Sequence, residues 1–127
     1  MIIYVAHSRA FDYLKELYEP IRQSSLNNKY TFIFPHENEN AVNSREFIQN
    51  KCNLIIAEVS HPSTGLGIEL GWANMFNVPI KGIYRKESEL PIEFRYVSQT
   101  LVQYKDKKDM ISKIEKIIKE SEKESRK

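Results

Sequence analysis

The sequence predicts an α/β protein: a single doubly wound, five-stranded parallel sheet with helices on both faces. Three observations carry that reading. Short apolar runs rich in β-branched and aromatic residues, such as residues 2–6 and 54–57, read as strands buried on both sides. Between them lie segments whose apolar residues recur at helical spacing. At 127 residues the chain has room for one core, and strands alternating with helices in one core pair in parallel through right-handed crossovers.

The elements follow in order. Strand one covers residues 2–6, Ser8 is the expected N-cap, and from Ala10 the positions Phe11, Leu14, Leu17, Tyr18 and Ile21 describe an amphipathic helix that Pro20 should kink or break. Residues 24–28 are a turn, and YTFIF at 30–34 is strand two, closed by Pro35. The polar run 36–43 is long enough to rim a pocket, and Asn43 with Glu46 forms a capping pair for a short helix to about residue 50. Strand three (54–57, with Val59 beyond Glu58) feeds a loop and a helix that opens near Gly65 to Gly67. That helix presents Leu66, Leu70, Trp72, Ala73 and Phe76 and ends at Asn77 and Pro79. Strand four is 80–84, residues 85–96 form a loop with one helical turn, and strand five is 100–104. The last helix starts near Asp106 with Met110, Ile111, Ile114, Ile117 and Ile118 on one stripe and Glu115–Lys119 and Lys116–Glu120 pairs outside it. The domain is thus expected to occupy residues 1–120, with 121–127 a frayed charged tail.

For five such strands the common order is 2-1-3-4-5, the flavodoxin-like arrangement, and ligands bind where that order reverses, between strands one and three. The loop carrying His7, Ser8 and Arg9 and the loop at residues 60–67 therefore face each other across one crevice. With 41% hydrophobic and 28% charged residues the composition is that of an ordinary soluble globular domain. The basic residues of 105–127 are interleaved with acidic ones, which argues against a nucleic-acid polymer as partner. Cys52, the lone cysteine, reads as a buried inert thiol and offers neither disulfide nor zinc site. No run suits a signal peptide or a membrane span, so the cytoplasm is the expected location.

The stretch 53–73, NLIIAEVSHPSTGLGIELGWA, organises the rest. A strand, a glycine-containing loop and a helix start aim backbone N–H groups and a positive dipole end at one point, which suits an anion such as phosphate. Gly65, Gly67 and Gly71 approximate a dinucleotide fingerprint, but they follow the third strand with a last spacing one residue too long, and Glu69 would sit near any pyrophosphate there. For Gly71 helix packing is the plainer account. Glu69, placed in the first helical turn, is either a dipole-favoured surface carboxylate or a nucleophile toward an anomeric carbon.

The run AEVSHPSTGLGIELGWA resembles the signature of the nucleoside 2-deoxyribosyltransferase-like family, most closely its 2′-deoxynucleoside 5′-monophosphate N-glycosidases. The resemblance extends faintly from Met1 to about Tyr104. It implies that Glu69 is the nucleophile of a covalent glycosyl intermediate and that Tyr4 supports it. Ser63, Gly65 and Gly67, with Ser8 and Arg9 of the first loop, would bind substrate and its phosphate. It implies a small nucleoside or nucleotide substrate, a homodimer, and no metal or organic cofactor. The family's catalytic aspartate falls at Arg45, with Glu46 the nearest stand-in, and a serine from a neighbouring subunit falls near Pro91. A departing base needs a proton, worth about 10²–10⁴-fold. Glu58, Glu37 and His36 are the other candidate donors, although His36 reads rather as a rim residue. His61 is expected to face water, and Trp72 and Phe76 to fill the core. The expected activity is N-glycosidic cleavage or deoxyribosyl transfer. The alternatives are a catalytically weakened nucleotide sensor and a scaffold for protein association.

Overall fold

The computed structural model describes residues 1–38, 43–89 and 92–125. Strands β1 (Ile2–His7), β2 (Thr31–Ile33), β3 (Leu54–Glu58), β4 (Ile80–Arg85) and β5 (Leu101–Tyr104) form one sheet in the order β2-β1-β3-β4-β5. Every neighbouring pair is parallel, so the order reverses between β1 and β3 as expected. The helices are α1 (Glu19–Arg22), α2 (Leu26–Lys29), α3 (Ser44–Asn50), α4 (Thr64–Met75) and α5 (Lys107–Ser125).

Strand pleating sorts the side chains into two cores. Ile3, Val5, Leu54, Ile56 and Ile83 pack with Leu17, Ile21, Met110, Ile114 and Ile118 on the α1/α5 side. Tyr4, Ala6, Ile55, Ala57 and Ile80 pack with Ile48, Leu66, Leu70 and Ala73 on the α3/α4 side. Alternation along a strand fixes this assignment, so Tyr4 must face α4 and His7 must face α1.

The first helix differs from the sequence expectation in ways the backbone explains. Asp12, not Ser8, opens it: Asp12 Oδ1 accepts from the Lys15 N–H, while Ser8 Oγ accepts from the Ala10 N–H within the preceding loop. Pro20 cannot donate to the Glu16 carbonyl and its ring crowds that group. The chain responds with a π-helical turn, Leu14–Tyr18, that runs into α1. The turn expected at 24–28 contains the single helical turn α2, and the loop expected at 85–96 ends in a 3₁₀ turn, Ile92–Tyr96.

Asn43 caps α3 as expected, its side chain accepting from the Glu46 N–H at 3.2 Å. Ser63 caps α4, accepting from the Leu66 N–H at 3.1 Å, and sets the helix start at Thr64; such a cap contributes about 1 kcal/mol. Asn77, at φ 60°, and the Val78 N–H bond to the Ala73 carbonyl end it. Helix α5 stays helical to Ser125, beyond the fray expected from residue 121. Ser121 is buried, Tyr30 Oη donates to Glu122 at 2.9 Å, and Lys81 Nζ pairs with Glu124 at 3.2 Å. Among the described residues no helix is long and apolar enough to cross a membrane.

Gly71 is not a packing glycine: a Cβ there would meet nothing within 4 Å. The close approach is at Gly82 in β4, where a Cβ would lie 2.5 Å from the Phe94 ring. Gly82→Ala should therefore displace Phe94 and the 3₁₀ turn and destabilise the fold by about 1–3 kcal/mol. A lower urea midpoint at unchanged m-value is the expected result, and an unchanged midpoint would contradict the packing.

Candidate active site

Topology brings four segments to the carboxyl ends of β1 and β3. The β1 loop supplies His7 and Arg9, the corner after β2 supplies His36, and the first turn of α3 supplies Ser44. Ser63, Gly65, Glu69 and Trp72 come from α4 and its approach. Gly65, Glu69 and Trp72 are spaced i, i+4, i+7, so α4 turns one stripe toward this hollow while Leu66, Leu70 and Ala73 face the sheet. The hollow measures about 310 Å³, at the small end for ligand sites. A larger groove of about 450 Å³ beside Lys15, Gln23 and Lys107 brings solvated charges together without a convergent reactive group.

Glu69 lies in the second turn of α4, not the first, because Ser63 starts the helix at Thr64. The dipole acts mainly within the first turn, so the local surroundings govern this carboxyl instead. Burial raises its pKa above the ordinary carboxylate value, and hydrogen bonds from Tyr4 and Ser44 pull it back down. Tyr4 Oη donates to Glu69 Oε2 from the floor of the sheet. Burial and the nearby Glu69 charge push the Tyr4 phenol upward, which keeps it a donor.

Of the other sequence-derived candidates, Arg9, Ser63 and Gly65 line the hollow. Ser8 does not: it is buried and its Oγ is engaged by Ala10. Gly67 opens onto a second, more apolar hollow of about 320 Å³ with Val59, Leu70 and Phe94. Glu46 is exposed and stands away from Glu69. At about 100° per residue, a helix whose Ser44 faces the hollow must turn Glu46 outward. Ser44 is the residue that sequence reasoning missed, and its signal was its place directly after the Asn43 cap. The position near Pro91 lies outside the described residues.

Three further expectations change. Trp72 is half-buried against the hollow, outside the core, whereas Phe76 does pack on the α3/α4 core. His61 does not face water: its ring stacks on Phe11 at 5.1 Å, and its Nε2 is buried without a partner among the described residues. Glu58 is no proton donor for the hollow, because it lies on the α1/α5 face, fully buried, accepting from the Ser60 N–H at 2.6 Å, from Ser60 Oγ at 3.0 Å and from Tyr104 Oη. Glu37 is held by Arg22 at 2.7 Å. His36 does reach the hollow, with a pKa lowered by burial and by the Arg9 charge. The Cys52 thiol, half-buried, donates to the Leu54 carbonyl, and burial raises its pKa. Among the described residues no three His, Cys, Asp or Glu side chains gather as a metal-binding group.

No family model matches the chain. The structure superposes on Clostridium botulinum CMP N-glycosidase, BcmB, with a TM-score of 0.65 over 91% of this chain and 99% of that one, at 20% identity. The two share a fold. A 42-residue stretch, 33% of this chain, is 40% identical to a Syntrophotalea carbinolica protein described as "Putative 2'-deoxynucleoside 5'-phosphate N-hydrolase 1". The match spans 30% of that relative's length. Its description is that of the monophosphate branch which the central sequence motif resembles.

Glu69 titrates above its ordinary value of 4.5 in the folded state, so ionising it costs the fold stability as pH rises through that raised value. Glu69→Gln should accordingly melt above wild type at pH 7, with the difference vanishing below pH 4.5. Equal melting temperatures at pH 7 would show the carboxyl to be solvated.

Proposed function

We propose that the protein cleaves the N-glycosidic bond of a nucleoside 5′-monophosphate, with Glu69 as the nucleophile. The observation that carries the reading is a half-buried carboxyl, bonded by Tyr4 Oη and sharing its ligand-sized hollow with Ser44, at the sheet's switch point. The fold shared with a CMP N-glycosidase and the short match to the N-hydrolase support it.

With Oε2 held by Tyr4, Glu69 Oε1 attacks the anomeric carbon. The C1′–N bond breaks, its electron pair stays on the base nitrogen, and the base takes up a proton. Water, or a second base, then attacks C1′ and gives its proton to the now neutral His36; the C1′–Oε1 bond breaks and its electron pair returns to the carboxylate, so two inversions give net retention. Ser63, the amides near Gly65 at the start of α4, and Arg9 suit the 5′-phosphate. His36, which the corner after β2 brings to the same hollow, is the proposed proton donor to the base. Tyr4 and Ser44 keep Glu69 ionised by favouring its charged form. A deoxyribose substrate fits the relative's description. For pairing two copies, exposed Ile68 and Met75, seven residues apart on one side of α4, are the proposed apolar contacts.

One observation favours a second reading, a nucleotide-binding protein with weakened catalysis: Glu46, the nearest carboxylate to the position of the family's aspartate, points away from the hollow. Base release from a panel of nucleosides and nucleoside monophosphates separates the two. Wild type should release base, and Glu69→Gln should lose on the order of 10³-fold or more. Equal release by both would remove Glu69 from the chemistry, and tight binding without release by wild type would favour the sensor.

The active form needs Glu69 ionised and His36 protonated. Glu69 is raised from 4.5 and His36 lowered from 6.5, so kcat/KM should peak on the acid side of neutrality, between those two values. His36→Gln should abolish the fall on the alkaline limb. A profile flat from pH 5 to 8 would dismiss His36 as donor.

A further inference from the structure

His7, which reaches the edge of the hollow from the end of β1, and Tyr18, on the α1/α5 side of the sheet, are both buried, and the chemistry proposed above uses neither side chain. His7 Nδ1 lies 2.7 Å from the Ser8 carbonyl, its Nε2 meets Tyr18 Oη, and Tyr18 Oη accepts from the His36 backbone N–H at 3.1 Å. A carbonyl can only accept, so Nδ1 carries a ring proton, and in the neutral ring Nε2 is then the acceptor. Tyr18 must then donate to His7, which leaves its oxygen lone pairs for His36. The chain of hydrogen bonds has one direction, from the His36 amide through Tyr18 and His7 to the Ser8 carbonyl. It ties the corner after β2 to the loop after β1, the two segments that bring His36 and Arg9 to the hollow.

We infer that Tyr18 and His7 are positioning residues that set the place of His36 in the hollow it shares with Glu69 through this one-way chain. The inference rests on the reading of His36 as proton donor, but the chain itself can be tested without it. The surrounding groups agree with a neutral His7. Tyr13 packs on its ring at 4.7 Å, and Phe11 and the His36 ring stand edge-on to it. Glu58, its register partner on β3, would favour a charged ring, but its oxygens are already taken by Ser60 and Tyr104. Burial, with the charges of His36 and Arg9, pushes His7 down to about 4. A second proton on Nε2 would oppose the Tyr18 hydroxyl inside a closed site.

Tyr18→Phe keeps the ring and removes the link. Nitrogen NMR of the wild-type imidazoles should find His7 as the neutral Nδ1–H tautomer at pH 5. In Tyr18→Phe the His36 amide should lose at least about tenfold of its hydrogen-exchange protection. An Nε2–H tautomer, a His7 titrating near 6.5, or unchanged His36 exchange would overturn the chain. The kinetic test compares purine deoxynucleoside monophosphates with their N7-methylated forms, whose base leaves without needing a proton. Tyr18→Phe should slow the first about tenfold and the second less than about threefold, since only the first draws on the donor. Equal slowing of both would reduce Tyr18 to a fold-supporting role. If wild type cleaves neither, the glycosidase reading fails, and the NMR and exchange results still decide whether the chain exists.

Discussion

The contact between Tyr4 and Glu69 is the constraint on which the site depends. It joins β1, an inner strand of the sheet, to the second turn of α4, and it exists because three separate alignments agree. The pleat of β1 must place Tyr4 on the α4 side, the Ser63 cap must fix where α4 begins, and the parallel register of β1 against β3 must hold the two at one level. A carboxyl in such a place is strained electrostatically: burial favours its neutral form, while the two hydroxyls facing it favour the charge. Groups held in this balance are suited to reactions in which charge must leave the carboxyl as a bond forms.

The two faces of the sheet divide the labour. On the α3/α4 side the strands present Tyr4 toward the hollow, with the Phe47 ring tilted against it at 5.9 Å and small or aliphatic residues on the neighbouring strand positions Ala6, Ile55 and Ala57. The α1/α5 side holds two buried polar groups: Glu58 with Ser60 and Tyr104, and His7 with Tyr18. Both sets sit at the carboxyl ends of strands, where backbone hydrogen bonding runs out and side chains must satisfy the loops. Polar groups buried there tie down the connections that line the site without entering it.

Much of this was legible in the sequence. The strand runs, the helical stripes of α4 and α5 and the Asn43 cap gave the sheet order, and the sheet order gave the crevice shared by Arg9, Ser63, Gly65 and Glu69. What escaped were offsets of one turn or less. Whether Glu69 stands in the first or second turn depends on whether Ser63 or Gly65 opens the helix, and turn-forming residues crowd that loop. Whether Ser44 or Glu46 faces inward depends on the angle at which a seven-residue helix meets the sheet, and spacing says nothing of that angle. The His7–Tyr18 bond joins the end of a strand to a π turn forced by Pro20, and an ideal helix would have placed Tyr18 on a different heading. Trp72 was misread for a related reason. Its spacing fits a buried stripe, but that stripe borders an opening.

Ser63 has a consequence that reaches past its cap. Its side chain stands on the lining of both hollows, while its oxygen holds the Leu66 amide in the first turn of α4. One small residue is thus at once the bolt of a helix and part of the wall of both a polar chamber and an oily one. Neither chamber can be enlarged at that point without loosening the bolt, so the shape of each is locked to the other and to the pitch of the helix that carries the carboxyl.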